Sequence, residues 1–296
     1  MPRSTDTPPH PDAAEESRAS RHVLSHRDGA VGTITIDRRE RFNSLDVETA
    51  RDLRRAGLAM ARDESVRCVV LRGAGGIFCS GADLKYIRAG GAAADLGYLQ
   101  QGRQQPAGHG EIFKQILEYL HSAISEIRRA PKPFIAAVDG MAAAGGFGLA
   151  MSCDLVLAST DARFEWAYGK TGLTGAESST FLLPRLVGLR QAMGLLFLNP
   201  RLDAEQALAA GLINEVFPAE SFDRQVDEVA RRLAAGPTRA FGIAKGLINR
   251  AAGVDRLDHH LDQELEELAR IADGADFREG LEAFFAKREP DFRGLD

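Results

Sequence analysis

Val31-Gly-Thr-Ile-Thr-Ile36 alternates apolar and polar residues and then gives way to the polar run 37–43, the pattern of a strand entering a loop. Asp46 stands ahead of Val47, Leu53, Ala56, Leu58 and Met60, which predicts a capped amphipathic helix. Cys68-Val-Val-Leu71 is apolar at every position and stops before Gly73, as a strand buried on both faces requires. The spacing of Phe113, Ile116, Leu117, Leu120, Ile124 and Ile127 predicts a helix over 111–129, followed by a second fully apolar strand over 134–138. Short strands are expected at 154–158 and 162–166, and helices at 178–186 and 191–198. From Asp203 onward the helical period dominates, broken by a strand at 213–217, by Gly236-Pro237 and by Gly253. Repeating βα units followed by helices predict an α/β fold with a parallel sheet and crossover helices, the helical part packing on a neighbouring subunit. The expected division is a disordered tail over 1–21, an α/β core over 22–218 and a helical C-terminal region over 219–296.

Two glycine-rich interruptions change this picture from architecture to chemistry. Gly75-Gly-Ile-Phe-Cys-Ser-Gly-Ala-Asp-Leu84 follows one apolar strand, and Asp139-Gly140 leads to Gly145-Gly146 after the other; each runs into a helical pattern. Such a strand-to-helix turn leaves the first helical N–H groups unpaired, with their dipoles aimed at whatever lies in front, which suits an anionic oxygen. The same glycines equally serve close packing of helix on strand. The stretch 88–110 holds Gly90-Gly91, Gly97, Gly102, Pro106, Gly108 and Gly110 and is expected to be a long flexible insertion of the kind that forms lids or substrate walls.

Composition removes several alternatives. With 296 residues, 44% of them hydrophobic, the chain can bury a large core. A formal net charge of −5 with dispersed Lys and Arg offers no basic stripe, so nucleic acid is excluded as a main partner. Cys68, Cys79 and Cys153 sit in apolar surroundings without CxxC spacing, which fits a reducing compartment. Residues 1–21 lack the apolar centre of a signal peptide, and no apolar run approaches the roughly 18–20 residues of a membrane span. A cytoplasmic protein without membrane contact is expected. Gly169-Lys170-Thr171 lacks the earlier glycine of a phosphate loop, Phe164 standing there; neither glycine turn completes G-x-G-x-x-G; Ser80 fails G-x-S-x-G. His259 and His260 are adjacent on a helix and point apart, so no metal and no redox cofactor is expected.

Five segments in order resemble the crotonase family, also called the enoyl-CoA hydratase/isomerase superfamily. They are Phe78-Cys-Ser-Gly-Ala-Asp-Leu84; Lys132 through Gly140 with Gly145-Gly146 and Cys153-Asp154; Phe181-Leu-Leu-Pro-Arg-Leu-Val-Gly188; Ala204-Glu-Gln-Ala207 with Gly211 through Pro218; and Glu279-Gly280 with Ala283 through Pro290. The likeness spans about residues 22–293. It implies a spiral of ββα repeats with a helical C-terminal trimerisation region, assembled as a homotrimer or a dimer of trimers. It also implies an acyl-CoA substrate, coenzyme A entering only as part of that substrate. In the family the backbone N–H groups at the positions of Ala82 and Gly145 bind the thioester oxygen. Two preorganised donors there stabilise an enolate-like transition state more than the ground state. Arg39, Arg41, Lys85, Lys245 and Lys287 become candidates for the CoA phosphates and adenine, although each equally suits a solvated surface.

The chain departs from the family at the catalytic carboxylates. Typical hydratases use two glutamates, and the corresponding positions here are Gly148 and Tyr168. Isomerases and dehalogenases of the family carry an aspartate in the loop 172–180; a gap-free count puts it at Ala176, and a Gly-Ala-Asp pattern puts it at Glu177. Glu177 is therefore the candidate acid/base, with a helix-terminus carboxylate as its structural reading. His121 falls where the family's 4-chlorobenzoyl-CoA dehalogenase has a water-activating histidine; on its helix it borders the apolar face. Tyr168 is expected to wall or hydrogen-bond the acyl group. The expected activity is enoyl-CoA hydration or isomerisation with a single carboxylate. The alternatives are a CoA-thioester hydrolase using His121 and a non-catalytic acyl-CoA-binding subunit.

Overall fold

The computed structural model describes residues 22–92, 95 and 108–294. The expected tail at 1–21 and most of the insertion at 88–110 lie outside the described residues. A six-stranded sheet carries the fold in the order β1-β2-β3-β4-β6-β9. Its strands are β1 (Val23–Asp28), β2 (Val31–Ile36), β3 (Cys68–Gly73), β4 (Phe134–Val138), β6 (Leu155–Ser159) and β9 (Glu215–Phe217). All neighbours pair in parallel except β1, which is antiparallel to β2. That edge strand carries no alternation for the sequence to betray: Val23 is buried and its other five residues are exposed.

The two apolar strands owe their pattern to cover on both faces. Val69 and Leu71 of β3, with Phe134, Ala136 and Val138 of β4, enter one apolar cluster; Cys68, Val70, Ile135 and Ala137 enter another. On the first face lie α1 (Val47–Arg62) and α3 (His109–Arg129), the crossovers before β3 and β4. On the second lies α8 (Phe222–Ala235), through Phe222, Val226 and Val229. Asp46 caps α1 as expected, its side chain accepting the Thr49 N–H.

A second, three-stranded sheet of β5 (Met141–Ala143), β7 (Arg163–Glu165) and β8 (Leu202–Asp203) stands beside the first. Cys79 adds a parallel bridge to Ala142 at its edge. Each turn of the chain thus runs from a long strand to a short one and then to a helix. β3 leads through Cys79 to α2 (Leu84–Arg88); β4 leads through β5 to α4 (Gly145–Ser152); β6 leads through β7 to α5 (Ser179–Val187). This is the ββα spiral the resemblance implies.

Beyond α6 (Leu189–Leu198) and α7 (Ala204–Ala209) the chain is helical but for β9 and short turns. α10 (Leu257–Ala272) buries Leu257, Leu261 and Leu268, and α11 (Ala275–Ala286) buries Phe277 and Leu281, in the same cluster as α3. α9 (Thr238–Ala251) buries no residue and exposes Ile243, Leu247 and Ile248. Among the described residues no helix is long and apolar enough to cross a membrane.

Candidate active site

The two glycine turns are stitched to each other. Cys79 N–H donates to Met141 O at 3.0 Å, and Ala143 N–H donates back to Cys79 O at 3.0 Å. A Cβ on Gly146 would stand 2.1 Å from Cys79 O. Gly81 has φ +94°, and a Cβ there would stand 2.8 Å from the Ala144 side chain and 3.2 Å from Gly145 N. Only glycine meets both demands. Ala144, ahead of α4, has φ +47° without being glycine, a strained conformation of the kind concentrated at functional sites. On either side of Ala82 the backbone is paired, Leu45 N–H to Gly81 O and Asp83 N–H to Leu45 O, both at 2.8 Å. The N–H groups of Ala82 and Gly145 have no acceptor among the described residues. Both residues line a cavity of about 370 Å³ between the turns and the C-terminal helices.

Glu177 reaches this cavity from the loop before α5 and is 5% exposed. One carboxylate oxygen, Oε1, lies 3.0 Å from where a Cβ on Gly145 would be. The other, Oε2, accepts the Tyr168 hydroxyl, which also lies 3.1 Å from Ala176 O. Burial pushes the Glu177 carboxyl up to about 7; the Tyr168 hydroxyl pulls it down, and the carboxylate of Glu264 pushes it up again. Burial and the neighbouring Glu177 hold the Tyr168 phenol well above its ordinary value, so at neutral pH it is a neutral donor. Position 148 proves to be occupied in another sense. A Cβ on Gly148 would stand 2.6 Å from Glu177 O and 2.8 Å from Glu177 Cβ. Gly148 and Tyr168, where the resemblance to typical hydratases leads glutamates to be expected, and the loop that carries Glu177 converge on one spot.

The arginines and lysines divide. Arg41 and Lys85 line the cavity, with the Arg41 guanidinium forked onto Asp83 at 2.6 and 3.1 Å. Arg39 is paired with Asp37 on the surface, outside the cavity lining. Lys287 ends α11 with φ +53°, just past Phe284 and Phe285, which do line it. Sequence reasoning overlooked Arg38, which is buried and ion-paired with Asp46 at 2.5 Å and Asp83 at 2.9 Å, tying the first loop to the helix cap and the first glycine turn. It also overlooked Glu264, for which no local pattern gives a sign.

Two expectations are corrected. Lys245 does not face the cavity: it is folded into the protein, donating to Ile127 O and Asp154 Oδ2 at 2.7 Å and to Lys132 O at 3.2 Å. Lys245→Met is expected to leave KM for an acyl-CoA unchanged while costing about 1–3 kcal/mol in urea denaturation, because the half-buried Asp154 loses one of its two cationic partners and keeps Arg128. His121 is not at the helix edge. The buried stripe of α3 is wider than its apolar residues suggest and takes in Gln115, His121 and Ser125. His121 is absent from the cavity lining, Nε2 has no hydrogen-bond partner among the described residues, and burial pushes its pKa down to about 3.

Sequence and structure comparisons place the chain in a family. Residues 26–295 match the Enoyl-CoA hydratase/isomerase family model. The chain is 37% identical over 274 residues to the 1,2-epoxyphenylacetyl-CoA isomerase of Escherichia coli K12, across 92% of this chain and 98% of that protein. It is 31% identical over 272 residues to 4-chlorobenzoyl coenzyme A dehalogenase-2 of Arthrobacter sp, across 92% and 93%. The crystal structure of an enoyl-CoA hydratase from Mycobacterium avium subsp. paratuberculosis K-10 superposes with a TM-score of 0.80 at 32% identity, covering 93% of this chain and all of that one. A match that begins in β1 and runs past α11 takes in both glycine turns and the Glu177 loop, and the chain therefore belongs to the enoyl-CoA hydratase/isomerase family of acyl-CoA enzymes.

Proposed function

We propose that the protein is an acyl-CoA isomerase in which Glu177 is the single proton-transfer group and the N–H groups of Ala82 and Gly145 hold the thioester oxygen. One observation carries this reading: Glu177 is a buried carboxylate set against Gly145, with its pKa pushed up to about 7. The other carboxylates of the cavity serve otherwise, Asp83 and Glu165 in ion pairs and Glu40 on the exposed rim. A base poised near neutrality can both remove and return a proton.

The chemistry follows from that placement. The ionised Glu177 carboxylate takes a proton from a carbon activated by the thioester, and the electron pair moves onto the thioester oxygen. The two amides stabilise this charge, each worth on the order of 3 kcal/mol in comparable sites. The protonated Glu177 then returns the same proton to a different carbon of the conjugated system, so nothing is gained or lost. A 1,3-shift needs one carboxylate. Hydration needs a second group to activate water, and the Tyr168 phenol is committed to Glu177 as a donor. The 37%-identical relative is named for isomerising a CoA ester, which supports the same class of reaction. The reading includes a homotrimer or dimer of trimers, for which exposed Leu189, Met193, Phe197 and Leu198 on α6 supply an apolar face.

A panel of enoyl-, aryl- and epoxyaryl-CoA esters tests the reaction. Product of unchanged mass with an altered spectrum is expected; a gain of water, release of free thiol or no turnover on any ester would overturn the isomerase reading. The base must be ionised to act, so kcat/KM is expected to fall about tenfold per pH unit below about 7 and to level off above it. A profile flat from pH 5 to 9 would exclude Glu177 as the base.

A further inference from the structure

Glu177 and Ser178 are consecutive non-glycine residues with φ of +51° and +63°. Side chains resist this left-handed conformation, and it persists only where the surroundings over-determine it. Two contacts do so here. Beneath the turn, Gly148 leaves room for the Glu177 backbone. On its other flank stands Glu264 of α10, 5% exposed. Glu264 Oε2 accepts the Ser178 N–H at 2.8 Å; Oε1 accepts the Thr180 N–H at 2.9 Å and the Thr180 hydroxyl at 2.5 Å.

These amides stand at the start of helix α5, Ser178 at the N-cap itself, and that of Thr180 would ordinarily be met by the helix's own N-cap side chain. Ser178 occupies that position and makes no such bond; its hydroxyl and that of Ser179 are buried without partners among the described residues. A carboxylate from a distant helix has replaced the local cap. A local cap would steady α5 alone, whereas Glu264 ties the turn to α10, which is itself packed in the core through Leu261 and Leu268.

We propose that Glu264 is a positioning residue for the reaction: by holding the Ser178 and Thr180 amides it maintains the left-handed turn that sets the Glu177 carboxylate beside Gly145. The proposal rests on Glu177 as the proton-transfer group. Glu177 faces Tyr168, which donates to it, the Cys79 thiol, and Glu264, whose charge raises its pKa. Glu264 also faces His260, whose Nε2 lies 3.8 Å away and is itself flanked by Arg185 and His259.

Glu264→Gln keeps the shape and removes the charge and one acceptor. Its kcat is expected to fall about 10- to 100-fold, the size of effect that follows a small misplacement of a catalytic group, while KM stays within about twofold. The midpoint of the pH–rate profile should move to lower pH, because a negative neighbour of Glu177 has gone. In a Glu177→Gln background, Glu264→Gln should cost no further kcat, since the two act as one unit. An unchanged kcat and midpoint, with only a lower Tm, would reduce Glu264 to a structural cap and overturn the proposal, as would fully additive losses in the double variant. If circular dichroism shows that Glu264→Gln does not fold, Glu264→Asp is decisive instead. It retains the charge but withdraws the carboxylate by one methylene; lower kcat at constant KM supports positioning, and wild-type kcat overturns it. Turnover retained in Glu177→Gln alone would defeat the proton-transfer reading whatever Glu264 does. An inactive Glu177→Gln beside a fully active Glu264→Gln would defeat only the positioning role.

Discussion

Glu177→Gln is expected to lose about 10²- to 10⁴-fold in kcat and, at the same time, to melt at a higher temperature than the parent protein above pH 7. The loss follows from removing the group that carries the proton while leaving the amide that accepts the Tyr168 hydroxyl. The gain follows from linkage. Burial lifts the Glu177 carboxyl from its ordinary 4.5 to about 7 in the folded protein, so between these values the native state binds a proton that the unfolded chain has released. Stability therefore falls as pH rises from about 4.5 to about 7, and the full cost, on the order of 3 kcal/mol, is present above that window. Gln stays neutral throughout and escapes it. Paired melts at pH 8 and pH 4 measure the effect: the variant should lead at pH 8, and the difference should vanish near pH 4. A variant less stable than its parent at pH 8 would mean that the Glu177 carboxylate is satisfied where it lies and is not held at energetic cost for catalysis.

The parts of the fold that could be read in advance are those whose burial is regular. β2, β3 and β4 were legible because each has a face or both faces covered, and α1 because Asp46 caps an amphipathic stripe. β1 was not, because one buried residue in six makes no period. α4 has every residue buried and hence no polar side to mark it; its glycine turn and the short apolar run after it gave it away. At the site, Ala82 and Gly145 were singled out by the resemblance, and the glycine turns around them were visible in the chain because close approach of two backbones demands glycine at Gly81 and Gly146. Side chains that act at long range left no such trace. Glu264 meets α5 from a helix more than eighty residues on, and Lys245 turns inward to Asp154 rather than outward. His121 was misplaced because a polar residue inside a buried stripe looks, in the sequence, like the stripe's edge.

The absence of a glutamate at position 148 reads in the sequence as a loss; the geometry makes it a condition of the present site. Gly148→Glu is accordingly expected to abolish activity instead of adding hydration. The first atom of any side chain there would stand 2.6 Å from Glu177 O, a backbone atom that cannot rotate away, and 2.8 Å from Glu177 Cβ. To admit it, the turn at Glu177 and Ser178 must move, which breaks the Glu264 contacts and withdraws the carboxylate from Gly145. Even Gly148→Ala should cost about 1–3 kcal/mol in urea denaturation, the usual penalty of overpacking a tight interior, and should lower kcat at least about tenfold through the displaced Glu177. Removing the Glu177 side chain in the same protein should not restore stability, because the closer of the two clashes is with its carbonyl oxygen. A stable Gly148→Glu protein that hydrates an enoyl-CoA ester would show that the turn yields freely and that the two-glutamate arrangement is compatible with this backbone. The expected result, a destabilised and inactive protein, places the difference from the two-glutamate hydratases in the course of the 172–180 loop as much as in the identity of one residue.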